Sequence, residues 1–468
     1  MVNETIRTIS PATQEVVVER LAATFQDAER MAKASSEAFK SWRKTPLSQR
    51  KDIVRKALTI VQARKEALGR ELTTQMGRPI AYSVKEIETM QLRADYLLDI
   101  ADDSLCDLPG RQENGFERWV QREAVGPTLI VFAWNFPFLI IVNALVPALL
   151  SGNSVVLKPS PQTPLIGERF VEIFAEAGLP ANTLLCLHIG RPELLRQVVQ
   201  QIPDFQLITF TGSTKVGIDL RKATAERVVP LNLELGGNDP AYVRPDADLA
   251  YVAAQLVDAA VFNAGQSCCA VERIYVHTDV HDAFVEALQR ELATYRLGDP
   301  FDPATNIGPV VSPAAKNAIE SQVEQALGMG AVDATPENDS FAAPPPKGNY
   351  VMPRILTNVT AEMDVLRQET FGPIMPVVRV SGDVEAVALM NDSHYGLTAS
   401  VWTKDIGKGR ELTAQLEAGT VFINRADYPA PDLAWTGWKS SGLGCTLGPK
   451  AFDAFVKLKS FHIRMQHG

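Results

Sequence analysis

The sequence predicts an α/β protein of two or three domains, and three observations carry that reading. The chain has 468 residues, about three times an ordinary domain. Between about 125 and 236, short apolar runs alternate with helical patterns of roughly 10 to 15 residues, the mark of parallel βαβ units. A second alternation of the same kind follows it and runs almost to the C-terminus.

The elements follow in order. Residues 15 to 105 read as mostly helical, because AATFQDAERMAKASSEAFKSW and RKDIVRKALTIVQARKEALGRELTTQMG place apolar residues three and four apart. RWVQREAVGPTLIVFAW alternates and reads as strand. SVVLKPS, TLLCLHI, QLITFTGS and VVPLNLELGG are strands, separated by the helical PLIGERFVEIFAEAG, PELLRQVVQQI and TKVGIDLRKAT. LAYVAAQLVDAAVF and VHDAFVEALQREL are helices flanking the strand VERIYVH. AVDATPENDSFAAPPPKGN, 331 to 349, reads as a solvent-facing loop. Strands resume with FGPIMPVVRV, TASVWT and GTVFIN, and AFDAFVKLKSFHIRM reads as a strand leaving the body of its domain.

Apolar residues make up 46% and charged residues 22%, which is enough to build a large core. The net charge of -9 disfavours general nucleic-acid binding. The five cysteines, Cys106, Cys186, Cys268, Cys269 and Cys445, are few, odd in number and without CxxC spacing. That usage predicts a reducing, cytoplasmic setting and no metal site. The N-terminal MVNETIRTISPATQEVV lacks the pattern of a secretion signal. Ala124 to Leu157 carries no charge and is long enough to span a bilayer, but Asn135, Pro137, Asn143 and Pro147 interrupt it. The expected outcome there is a buried strand, a loop and a buried helix, with no membrane partner.

Four stretches concentrate chemistry. In AWNFPF, Asn135 sits in a charge-free segment, where its amide either caps a turn or donates into a site. In VLKPSP, Lys158 ends a strand, either solvated or facing a ligand at the carboxyl edge of a sheet. In ITFTGSTKVG, a helix begins at Ser213, and its free N–H groups favour a phosphate, although the spacing from Gly212 to Gly217 is not GxGxxG. In LNLELGG, Glu234 sits in an apolar strand, where burial raises a carboxylate toward the range of a general base. AGQSCCA follows, with Cys268 34 residues after Glu234. On the residues alone, either cysteine is a nucleophile or a small buried hydrophobe.

Taken together, these stretches resemble the aldehyde dehydrogenase superfamily over almost the whole chain. The motifs are WNFP at 134–137, GNSVVLKPS at 152–160, FTGSTKVG at 210–217, LELGG at 233–237, FNAGQSC at 262–268, ETFGP at 369–373 and GWKSSGLG at 437–444. The resemblance implies a Rossmann-like dinucleotide-binding domain (1–106 and 125–236), an α/β catalytic domain (237–436) and a small oligomerisation arm (107–124 and 450–464). It implies oxidation of an aldehyde to the acid with NAD or NADP. The family's nucleophile is the cysteine one residue beyond Gly-Gln, here Cys268. Asn135 then holds the oxyanion with the Cys268 N–H, and Glu234 activates the water that hydrolyses the thioester.

For the cofactor, the resemblance implies Lys158 at the adenosine ribose, with Ser160 and Pro161 after it. Ser213 and its helix, with Gly212, Val216 and Gly217, take the pyrophosphate. Glu369 holds the nicotinamide ribose, with Phe371, Trp134 and Leu235 nearby. Phe136, Asn143, Ser267, Cys269, Arg425, Tyr428 and Trp435 are expected around the substrate. A homodimer or homotetramer is implied as well.

Several positions depart from the family pattern. Where NAD-preferring members read KPxE, Pro161 stands in place of the glutamate, so NADP is as open as NAD. Asn143 replaces the aromatic residue common eight positions beyond the catalytic asparagine. AWTGWKSSG puts Trp435 and Thr436 where members often have phenylalanine and glycine. Arg425 suggests an anchor for a substrate carboxylate, whereas Asp427 and Asp432 argue against a strongly positive pocket. An apolar aldehyde and a semialdehyde acid both fit. A CoA-acylating or phosphorylating relative is disfavoured because Glu234 is kept. An inactive structural relative has no need to keep Asn135, Cys268, Glu234 and Glu369 together.

Overall fold

The computed structural model describes residues 4–465. Residues 1–3 of the expected dinucleotide-binding unit lie outside them. Two sheets organise the chain. The first has six strands in the spatial order Gly442–Leu443, Leu231–Glu234, Leu207–Thr211, Thr128–Val131, Val155–Lys158 and Leu184–Cys186. Five of these are parallel, and Gly442–Leu443 is an antiparallel edge. Sequence order runs outward to one side from Thr128–Val131 and then resumes on its other side at Leu207–Thr211. The boundary between these two strands is therefore a topological switch point, where a crevice opens at the carboxyl ends of the strands.

The strands are short apolar runs because helices cover both faces. Val155, Val156 and Leu157 are fully buried. The charge-free segment resolves into the strand Thr128–Val131, a loop, and the helix Pro137–Leu150 with Pro147 inside it. Among the described residues, no helix is long and apolar enough to cross a membrane.

The second sheet has seven strands in the order Val332–Asp333, Arg354–Thr357, Ile374–Val380, Val271–His277, Asp239–Val243, Thr398–Trp402 and Thr420–Ile423. All are parallel except Val332–Asp333. Outside both sheets, Val456–Arg464 pairs antiparallel along the whole of Phe116–Ala124, and Leu108–Pro109 adds a short third strand. Trp119 stacks on Phe461 with ring centroids 4.4 Å apart.

The structure corrects the sequence reading in two places. Residues 16 to 21 are not helical: Val16–Leu21 pairs with Thr5–Ile9 in a hairpin, and the first helix begins at Phe25. The β-branched run VVV alternates between the two faces there, which outweighs the helical spacing that starts beyond it. The stretch 331 to 349 is also not all loop. Val332–Asp333 pairs with Leu356 and Thr357. Asn338 caps the short helix Asp339–Ala342 by accepting from the Ser340 N–H at 2.9 Å, which turns Phe341 into the core. The prolines at 344 to 346 remain irregular.

Candidate active site

The carboxyl ends of the first sheet face later segments of the chain, many of them beside the second sheet, across a cavity of about 520 Å³. Three loops that leave strand ends supply one wall. They carry Trp134, Asn135 and Phe136, then Gly212 and Ser213, then Glu234 and Leu235. Opposite them stand Ser267, Cys268, Cys269, Glu369, Phe371, Asp427, Tyr428 and Trp435. The helix Ile80–Leu105 contributes Glu86 and Arg93, and Arg78 lies just before it.

The turn that presents the cysteines is backbone of an uncommon kind. Asn263, Ala264 and Gly265 are all left-handed, with φ of 54, 56 and 72°. For residues other than glycine that conformation costs roughly 1–2 kcal/mol each, so the surroundings must impose it. A Cβ on Gly265 would meet the Gly372 carbonyl oxygen at 2.2 Å, so both the angle and the space require glycine. The imposing contacts are polar. Asn263 donates to the carbonyls of Asn135 at 3.3 Å and Gln266 at 3.2 Å. Gln266 donates to the Asn263 carbonyl at 2.9 Å and accepts from the Val311 N–H at 2.7 Å. Asn135 donates from Nδ2 to the Gln266 carbonyl at 3.1 Å, which ties the first wall to the turn two residues before Cys268.

The two cysteines have different environments. Cys268 is partly exposed and lines the cavity. Cys269 is 4% exposed and packs with Leu397, Trp435 and Leu447. Its thiol donates to Asp427 Oδ1 at 2.8 Å, and Ser267 donates to the same oxygen at 3.0 Å. Hydrogen bonding to the Cys268 sulfur, and then burial, hold the Cys269 thiol well above its ordinary range. A thiol kept protonated is a poor nucleophile.

Four cavity carboxyl groups, Glu86 and the three that follow, are pushed upward, chiefly by burial. Glu234 is raised against the opposing hydrogen bonds that it accepts from Thr446 and, at 3.3 Å, from Thr211. Glu369 is raised to about 7 while it accepts from the Gly237 N–H at 3.1 Å. Asp427 is raised to about 7. The loop carrying Glu369 and Phe371 is held from behind. Glu272, buried, accepts from the Thr370 and Phe371 N–H groups at 2.8 and 2.7 Å. Phe371, at φ 51°, meets Trp134 edge-on with centroids 5.8 Å apart.

Other expected site residues fall outside this cavity. Lys158, Ser160 and Pro161 lie at the end of the neighbouring strand, on the same edge of the sheet. Lys158 is buried, burial lowers its pKa to about 8, and among the described residues no side chain or carbonyl accepts from its Nζ. Ser160 accepts from the Gln162 N–H at 3.2 Å, and the Pro161 carbonyl accepts from Thr8 at 2.8 Å. Val216 packs against apolar residues of the first sheet, and a Cβ on Gly217 would strike Leu235 at 2.4 Å, so glycine lets that helix close on the strand. The helix starts at Ser213 with no side-chain cap.

Arg425 needs correction. It does not line the cavity: its guanidinium lies over the Tyr428 ring, 3.6 Å from the centroid, and the residue is exposed. The guanidinium groups that do line the cavity, Arg78 and Arg93, had no functional signal in the sequence. They sit at and within an amphipathic helical stretch, where charged residues read as a solvated face. Glu86, on that helix, and Glu272, in the strand Val271–His277, carry no such signal either.

The sequence profile of the Aldehyde dehydrogenase family matches residues 1–461. This chain belongs to the aldehyde dehydrogenase family. It is 30% identical to the 3,6-anhydro-alpha-L-galactose dehydrogenase of Streptomyces coelicolor, covering 98% of this chain and 93% of that protein. The fold is similar to a solved 3,6-anhydro-L-galactose dehydrogenase in complex with NADP, with a TM-score of 0.93 and 31% identity over 98% of this chain and 96% of the other. It is similar to the same degree, TM-score 0.93 and 31% identity, to a Staphylococcus aureus betaine aldehyde dehydrogenase point mutant in complex with NAD+ and with a BME-modified cysteine, over 99% and 95% of the two chains. For this dehydrogenase-family chain, the raised Asp427 carboxyl has a consequence for stability. A carboxyl held near 7 in the native state and near 3.9 in the unfolded state stabilises the fold fully below about 4, and that contribution is lost as pH rises toward about 7. In urea titrations across that range, Asp427→Asn is expected to lack this loss, so its stability relative to wild type improves as pH rises.

Proposed function

We propose that the chain oxidises an aldehyde to its carboxylic acid, with Cys268 as the nucleophile and NAD+ or NADP+ as the acceptor. The supporting observation is the asymmetry of the cysteine pair: both line the cavity, but Cys268 is partly exposed to it, whereas Cys269 is buried, bonded to Asp427 and held protonated. The Cys268 sulfur bonds to the aldehyde carbon, and the carbonyl oxygen becomes an oxyanion. Asn135, with one N–H committed to Gln266, has its second for that oxyanion, together with the Cys268 N–H. Loss of hydride from the carbon leaves a thioester on Cys268. Glu234 takes a proton from water, the hydroxide adds to the thioester carbon, and the acid leaves as the Cys268 sulfur is released. Burial raises Glu234, so this step speeds up as pH rises past the ordinary carboxylate range and the group ionises.

The residues fit a dinucleotide. Lys158 has an unpaired ammonium at a strand end, and the helix after Ser213 opens without a cap toward the same edge. Glu369 stands beside Gly236 and Gly237 with Phe371 and Trp134 at its side. A nicotinamide dinucleotide bound there supplies the hydride acceptor. Pro161 brings no carboxylate beside Lys158, so the site takes the 2′-phosphate of NADP as well as NAD.

By this reading, the first sheet with 1–106 and 125–236 is the cofactor-binding unit, with Gly442–Leu443 returning to its edge, and 237–436 is the catalytic unit. The paired strands within 107–124 and 450–464 form an arm with Leu458 and Ile463 exposed, which suits a second copy of the chain in the cytoplasm. Light scattering is expected to give at least twice the monomer mass.

Cys268→Ala is expected to abolish formation of reduced nicotinamide across an aldehyde panel, and full activity in that variant refutes the assignment. Glu234→Gln should give one rapid burst of reduced nicotinamide, with steady turnover slowed on the order of 100-fold. Pro161→Glu is expected to cut kcat/KM for NADP by roughly tenfold or more relative to NAD. An unchanged ratio counts against the placement of Lys158 and Pro161.

A further inference from the structure

Arg93 projects from the helix Ile80–Leu105 into the wall of the catalytic cavity and is 5% exposed. Among the described residues it makes two hydrogen bonds, both long: to Asn143 Oδ1 at 3.3 Å and to the Pro429 carbonyl at 3.4 Å. Its Nε has no partner, and among the described residues no carboxylate lies within ion-pair distance. The other deeply buried guanidinium groups are treated differently. Arg78 is paired with Glu86 and bonded to Asn135 and Asn263. Arg273 donates to the carbonyls of Asn238, Leu389 and Met390 at 2.9 to 3.1 Å.

A buried cation without a counter-charge is costly, and a site that keeps one is built for an anion that arrives with the ligand. The nearby protein carboxyl groups are already committed. Glu234 holds the Thr446 and Thr211 hydroxyls, Glu86 holds Arg78 and the N–H groups of Phe138 and Leu139, and Asp427 holds Ser267 and Cys269. Asn143 is 5% exposed and lines the same cavity. Its oxygen faces Arg93, and its Nδ2 makes no hydrogen bond within the described residues, so amide and guanidinium donors converge. Cys268 and Arg93 line the same cavity, so one small molecule can reach both.

We propose that Arg93, with Asn143, is the anchor for a carboxylate at the far end of the substrate, and that the preferred substrates are aldehydic acids. This rests on the aldehyde-oxidising reading above. A neutral hydroxyl leaves the guanidinium uncompensated, and an aldehyde bearing a quaternary ammonium is repelled. The guanidinium fork matches a carboxylate in two bonds, which a lysine ammonium cannot do.

The test compares kcat/KM for a short series of α,ω-aldehydic acids with their methyl esters and with a trimethylammonium aldehyde of equal length. Wild type is expected to favour acid over ester and to use the cationic aldehyde worst. In Arg93→Gln the acid-over-ester ratio should fall on the order of 100-fold, with the loss in KM, and Arg93→Lys should restore part of it. If wild type oxidises the esters as well as the acids, the anchor is refuted while the aldehyde reading stands. If no aldehyde is oxidised, the parent reading fails. Equal loss on acids and esters, with a displaced pH profile of kcat, assigns Arg93 instead to the charge balance of Cys268 and Glu234 and overturns the proposal. Should Arg93→Gln not fold, wild type still decides. A dicarboxylate of matching length should slow alkylation of Cys268 by iodoacetamide, its dimethyl ester should not, and equal protection by both overturns the anchor.

Discussion

The buried ion pair of Arg78 and Glu86 is the constraint on which the site depends. Arg78 donates to the Asn135 carbonyl and, at 3.3 Å, to Asn263, while its guanidinium lies over the Phe136 ring at 4.2 Å. Glu86 accepts from the Phe138 and Leu139 N–H groups, the open end of the helix Pro137–Leu150, where a carboxylate also favours the helix dipole. One pair thus joins the helix Ile80–Leu105, the loop that carries Asn135 and the left-handed turn that leads to Cys268. A buried ion pair stabilises little in net terms because desolvation offsets the attraction. Its effect here is geometric: removing either partner strands a charge, so the three segments are held in one arrangement.

That arrangement sets the electrostatics of the cavity. Polar groups enter from strand ends and turns, where backbone N–H and carbonyl groups are free to hold them, and the walls between are aromatic or aliphatic. Burial therefore raises Glu234, Glu369 and Asp427, and each is kept usable by a small set of donors. Glu272 works one layer further out. It fixes the backbone of Thr370 and Phe371, and so the place of Glu369, without itself lining the cavity.

Much of this was legible in the chain. The seven motifs name the segments that converge, and Asn135, Glu234, Cys268, Glu369, Phe371 and Trp435 all line one cavity. The parallel strands were readable because runs such as VVLK and LITFT are apolar on both faces. The hairpin at Thr5–Leu21 was not, since its pairing joins two short segments across a turn with no Asn-Gly signal. Nor were Arg78, Glu86, Arg93 and Glu272: a charged residue in a helix or strand looks the same in sequence whether solvent or a cavity lies over it. Arg425 shows the converse, a conspicuous charge beside a motif that turns outward onto Tyr428.

The sequence by itself determined the alternation of strands and helices from about 125 to 236, the family, and the Gly turn before the cysteine pair, because periodicity and short motifs are local properties of the chain. The tertiary structure decided which cysteine is left partly exposed in the cavity and which is buried and locked to Asp427. It also decided that Arg93, and not Arg425, lines the cavity. Burial and pairing are sums over residues hundreds of positions apart, and only folding brings those residues together.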